Sequence, residues 1–113
     1  MFEVAIALSI AALLLALALA PPGWLLGTGL LMAGLGLLVG IPAAVLYHWH
    51  LHAVLKPRGQ LPRHWIWNPT SLHDRLTADD RLRINPSLYT GAGGFVACVA
   101  GLILAVTGLF RAL

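Results

Sequence analysis

The chain has 113 residues, 59% of them hydrophobic and 10% charged. Water-soluble domains carry about a quarter charged residues, so this composition excludes a soluble globular protein and points to one small membrane-embedded domain, residues 1–113. The net charge is +3, but the basic residues between Lys56 and Arg83 are interleaved with aspartates, which is not the positive face of a nucleic-acid binder.

Residues 2–20 form the first apolar stretch. Its AALLLALALA run favours helix, about 20 helical residues cross a bilayer core of roughly 30 Å, and a helix satisfies its own backbone hydrogen bonds in lipid. Ala18-Leu19-Ala20 resembles a signal-peptide cleavage box. However, the preceding segment holds Glu3 and no Lys or Arg, whereas a signal peptide begins positive, and Pro21 stands where the cut would fall. The segment is therefore expected to remain as a first transmembrane helix. Pro21-Pro22-Gly23 ends it, because proline disfavours helix in the residue before it, and Pro22 suits the first turn of the next helix. So short a link predicts an antiparallel hairpin of helices.

The second span, 23–55, is rich in glycine. Gly23/Gly27 and Gly36/Gly40 are small-xxx-small pairs, and Gly27 and Gly34 lie a heptad apart; such positions allow helix backbones to approach closely in lipid. Roughly 33 residues make about 50 Å of helix, longer than the bilayer core, so the histidine-bearing end is expected at the interface.

Residues 56–86 are the polar connection, expected to contain one or two short amphipathic helices. Ser71 with Asp74, and Thr77 with Asp80, have capping-box spacing. Asn85-Pro86 reads as the start of the third span, 87–110, along which Gly94, Gly101 and Gly108 repeat every seven residues. The fold class is thus all-α integral membrane, with three transmembrane helices. Because basic loops stay inside, the loop and the N-terminus are expected on the cytoplasmic side of the inner membrane and the C-terminus outside. Trp24, Trp49, Trp65 and Trp67 are the expected interfacial anchors.

One constellation could carry chemistry: His48-x-His50-x-His52. On a helix, His48 and His52 share a face and His50 points away. An i, i+4 pair can share a metal, with His50 or His64 as further candidate ligands and His73 able to fold back. Alternatively, a neutral imidazole can ligate a haem iron or a chlorophyll magnesium. Ala44, four residues before His48, leaves room for a flat ring; this spacing resembles the small-xxx-His pattern of light-harvesting antenna polypeptides, a match of two residues that assigns no family. Against these stands the amphipathic character of histidine, which suits a headgroup boundary beside Tyr47 and Trp49 without any ligand. No cysteine pair and no HExxH motif is present, and the single Cys98 excludes an intramolecular disulfide. Ser71, His73 and Asp74 lack a nucleophile elbow. Asp79-Asp80 is explained by helix N-terminal charge.

These features predict a non-enzymatic small subunit, or accessory or assembly factor, of a larger membrane complex of respiratory, photosynthetic or transport type. Its partners would be the lipid bilayer and other integral membrane subunits. The alternative is a metal-, haem- or chlorophyll-binding membrane protein. A third reading is a membrane enzyme gripping lipid phosphates through Arg75, Arg81 and Arg83.

Overall fold

The computed structural model describes Met1–Leu113. It is all-helical, with α1 at Phe2–Leu19, α2 at Pro22–Leu55 and α3 at Ala78–Ala112, and short 3-10 segments at Lys56–Arg58, Trp65–Trp67 and Pro69–Arg75. All three long helices are long and apolar enough to cross a membrane. Their apolar side chains are largely exposed, and α1 buries none of its residues, as suits surfaces whose solvent is lipid.

Local chemistry sets the helix ends. Ala20, held extended before Pro21 (φ −65°, ψ 145°), closes α1, and α2 opens on Pro22. After α2 the chain tightens into the 3-10 turn and reverses at Gly59, whose φ of 66° is left-handed and favours glycine. The loop differs from expectation. Ser71 does not cap an α-helix: its Oγ donates to the Asn68 carbonyl at 2.7 Å, and the segment around it is 3-10. The loop has no α-helix of its own, and α3 begins at Ala78 with Pro86 inside it. A reciprocal cap explains the earlier start. The Thr77 N–H donates to Asp80 Oδ2 at 2.9 Å, and the Asp80 N–H donates to Thr77 Oγ1 at 3.2 Å.

The chain divides into two compact units, Met1–Gly34 with Ala97–Leu113, and Leu35–Val96. In the first, α2 and α3 run antiparallel: Leu25 and Leu26 meet Gly108, Gly29 meets Ala105, and Ala33 meets Gly101. A methyl group on Gly101 would lie 2.5 Å from the Ala33 nitrogen and the Gly29 oxygen, so backbone packs on backbone. Arg111, the one basic residue outside the loop, donates to the Leu17 carbonyl at 2.7 Å and to the Ala20 carbonyl. These are orphan acceptors at the end of α1, where a cation is favoured. In the second unit, Gly94 packs on Gly36 and Gly40, and Gly91 on Ala43 and Ala44. Gly94, Gly101 and Gly108 therefore all face α2. Their partners on α2 include Gly29, Gly36 and Gly40, whereas a side chain at Gly27 or Gly34 would meet nothing within 4 Å.

The second unit also has a side-chain core of Tyr47, Leu51, Leu55, Leu72, Leu76 and Ile84. It pins the 3-10 segment Pro69–Arg75 against the end of α2. Each fully buried leucine here contributes about 1.5–3 kcal/mol where the alternative is water.

Candidate functional site

Three turns of α2 and the turn Trp65–Trp67 make a groove in the second unit. It has a volume of about 570 Å³ and is lined by His48, His52, Trp49 and Trp65 together with aliphatic side chains including Ile41 and Val45. The Trp65 ring stands 5.6 Å from the His48 ring and 5.8 Å from the His52 ring, tilted to both. The loop thus folds over the histidine pair, a contact no local pattern announces.

The His48 hydrogen bond fixes its chemistry. Its Nδ1 lies 2.8 Å from the Ala44 carbonyl oxygen. A carbonyl only accepts, so in the neutral ring Nδ1 carries the proton and Nε2 keeps its lone pair. Metal-ligating histidines are commonly oriented in this way, one nitrogen tied to a backbone acceptor and the other left basic.

The remaining histidines go elsewhere. His50 points away from this groove into a second cavity, beside Arg83 and Ile84. His64 is exposed and does not line the groove. His73 is taken by Tyr47, whose hydroxyl lies 2.6 Å from its Nε2. No three His, Cys, Asp or Glu side chains come together as a metal-binding group. Two imidazoles alone do not complete a four-coordinate structural zinc site. The nitrogen left basic, His48 Nε2, belongs to a ring that lines the groove beside an apolar wall. Among the other sequence candidates, Trp24, Trp49 and Trp67 project outward and Trp65 is partly covered. Ser71, His73 and Asp74 make no hydrogen bonds to one another, since Ser71 and His73 are engaged with Asn68 and Tyr47.

The basic loop is partly tied down. Arg58 forms a bidentate pair with Asp80, at 2.7 and 3.3 Å. Arg75 donates to the Gln60 carbonyl, and Arg81 to the His73 carbonyl at 2.9 Å. Asp80 lies in the polar first turn of α3, ahead of the apolar part. There the Arg58 guanidinium, aided by the Thr77 N–H, holds its carboxyl well below the usual carboxylate range.

Compared with models of protein families, with curated proteins and with solved structures, the chain matches none.

Proposed function

We propose that this chain is a non-catalytic small subunit, or accessory or assembly factor, of a larger membrane protein complex of respiratory, photosynthetic or transport type. In this reading α1 and α2 form a transmembrane hairpin in a bacterial inner membrane. The N-terminus and the 56–86 loop face the cytoplasm, since basic loops are retained there, and the C-terminus faces outward. One observation carries the reading. α2 has two glycine faces, and α3 packs on Gly29, Gly36 and Gly40 while Gly27 and Gly34 are left uncovered. Small residues bared on a membrane helix suit the close approach of another helix, and α1, which buries nothing within the chain, offers further surface.

Gly27→Leu with Gly34→Leu tests it. The double variant keeps its helicity and its α2–α3 packing, and loses the membrane subunits that co-purify with the wild type in mild detergent, as identified by mass spectrometry. A wild-type chain that purifies alone and monodisperse, or a double variant that keeps every partner, would sink the proposal.

The lone pair on His48 Nε2 favours a second reading, in which the groove holds a metal-centred flat ring such as a haem or a chlorophyll. Zinc protoporphyrin, whose metal takes one axial ligand, is the probe. Its absorption band is expected to shift on adding the wild-type chain and the His64→Ala variant, but not on adding His48→Ala. Equal shifts in all three would show adventitious binding and end this reading.

A further inference from the structure

The second cavity is independent of both readings above. It has a volume of about 430 Å³ and is lined by His50, Ala53, Val54, Arg83 and Ile84. Nothing in the chain answers its polar groups. His50 Nδ1 is buried and has no hydrogen-bond partner. The Arg83 guanidinium forms no ion pair: Asp79, four residues earlier on α3, does not reach it, and Asp80 is taken by Arg58. A neutral imidazole has one N–H and one bare nitrogen. In the tautomer with its proton on Nδ1, the ring holds a buried donor that nothing in the chain receives. The side chains lining the cavity therefore offer a guanidinium and an imidazole N–H, both donors, and no carboxylate. Its other walls are aliphatic.

We propose that this cavity binds a phosphate anion, with the Arg83 guanidinium pairing with its oxygens and His50 donating to it through Nδ1–H. Guanidinium groups match phosphate geometry through two parallel hydrogen bonds. Basic pockets between membrane helices bind lipid headgroups, and Ala53, Val54 and Ile84 suit the acyl chains that a lipid would bring. The phosphate is accordingly that of a phospholipid headgroup, with free phosphate as the other source of the same chemistry.

The test uses the full chain, delipidated in detergent. Binding of phosphatidylglycerol and of diacylglycerol is followed by native mass spectrometry, and binding of inorganic phosphate by calorimetry. Arg83→Gln removes the guanidinium at an exposed position. His50→Phe keeps a flat ring without nitrogens. Arg63→Gln removes the same charge from an exposed residue outside the cavity. Circular dichroism confirms that each variant keeps its helicity. Phosphatidylglycerol is expected to bind the wild type and Arg63→Gln alike, about tenfold or more weakly to Arg83→Gln, and severalfold more weakly to His50→Phe. Diacylglycerol, which has the tails without the phosphate, should not bind comparably. Inorganic phosphate binding with the same dependence on the two variants, without lipid binding, assigns the site to free phosphate. If Arg83→Gln behaves as Arg63→Gln does towards both ligands, or if diacylglycerol binds as well as phosphatidylglycerol, the proposal is overturned.

Discussion

Gly94→Leu is expected to separate α2 from α3 in the second unit and to lower the chain's resistance to unfolding far more than the same substitution at the neighbouring Gly93. A first carbon on Gly94 would already lie 2.6 Å from Gly40 Cα and 2.7 Å from the Gly36 oxygen. Ordinary carbon contacts are at about 3.5–4.0 Å, so the helices must move apart by roughly an ångström. The facing atoms are backbone, and no side-chain rotamer can yield to admit the intruder. Overpacking typically destabilises by about 1–3 kcal/mol; Gly94→Ala belongs at the upper end of that range, and leucine beyond it. In lipid the apolar side chains gain nothing by leaving the solvent, so lost van der Waals packing is not recovered elsewhere. Gly93→Leu is the matched control. A side chain there meets nothing within 4 Å and adds the same volume to the neighbouring position. Unfolding in detergent with increasing dodecyl sulfate, followed by circular dichroism, should separate the two variants. If they unfold together, Gly94 does not face Gly36 and Gly40 as described.

The same glycines show how much of the fold could be read from the chain. Length and composition suffice for three apolar helices, because the bilayer demands a certain run of apolar residues and nothing else in the sequence supplies one. The packing face of α3 is also legible: Gly94, Gly101 and Gly108 form a small-residue stripe, with Ala105 beside it on the same face. α2 is different. It carries Gly27 and Gly34 on one side and Gly29, Gly36 and Gly40 on nearly the opposite side, with the same residue type and the same heptad spacing. Periodicity along one helix cannot say which side meets a particular neighbour, since that choice depends on the register of two helices against each other. Which side of α2 stays uncovered is therefore visible only once α3 is seen packed on the other.

The loop was less legible for a related reason. Asn85-Pro86 has the chemistry of a helix start, and proline inside a helix removes a hydrogen bond. Read locally, the third helix should begin there. The helix instead begins at Ala78, since Thr77 and Asp80 cap it and Arg58, distant in sequence, holds Asp80 in place. In the histidine cluster, the sharing of one face by His48 and His52 follows from helical geometry alone. The placement of Trp65 over both rings and the capture of His73 by Tyr47 depend on how the loop packs. Leu72 and Leu76 of that loop are buried and Leu82 is exposed, a distinction that an alternation of leucines does not contain.

Asp80→Ala is expected to release the loop from the start of α3 while leaving the apolar parts of the helices intact. One carboxylate answers both Nη atoms of Arg58, at 2.7 and 3.3 Å, and the Thr77 N–H at 2.9 Å. It does so in a residue only 8% exposed. Alanine leaves the Thr77 N–H without its acceptor and the Arg58 guanidinium, whose side chain is 42% exposed, without its counter-charge, so the loop loses its tie to the start of α3. Asparagine keeps the shape and one acceptor oxygen, so Asp80→Asn should fall between alanine and the wild type. Asp79→Asn, at an exposed neighbour, should change little. Hydrogen exchange of the amides in 59–77, corrected for intrinsic rates, reads the release. The pH dependence has a definite sign. The pairing with Arg58 lowers the folded carboxyl below its unfolded value. The stabilisation is therefore complete above the ordinary aspartate range near pH 4, and it fades only as pH falls through the lowered folded value. This contribution should be unchanged between pH 7 and pH 5, so the difference in protection between wild type and Asp80→Ala should be constant over that range and shrink only in strong acid. A difference that vanished by pH 5, or an Asp80→Ala chain as protected as the wild type at pH 7, would show that the Arg58–Asp80 pair does not hold the loop.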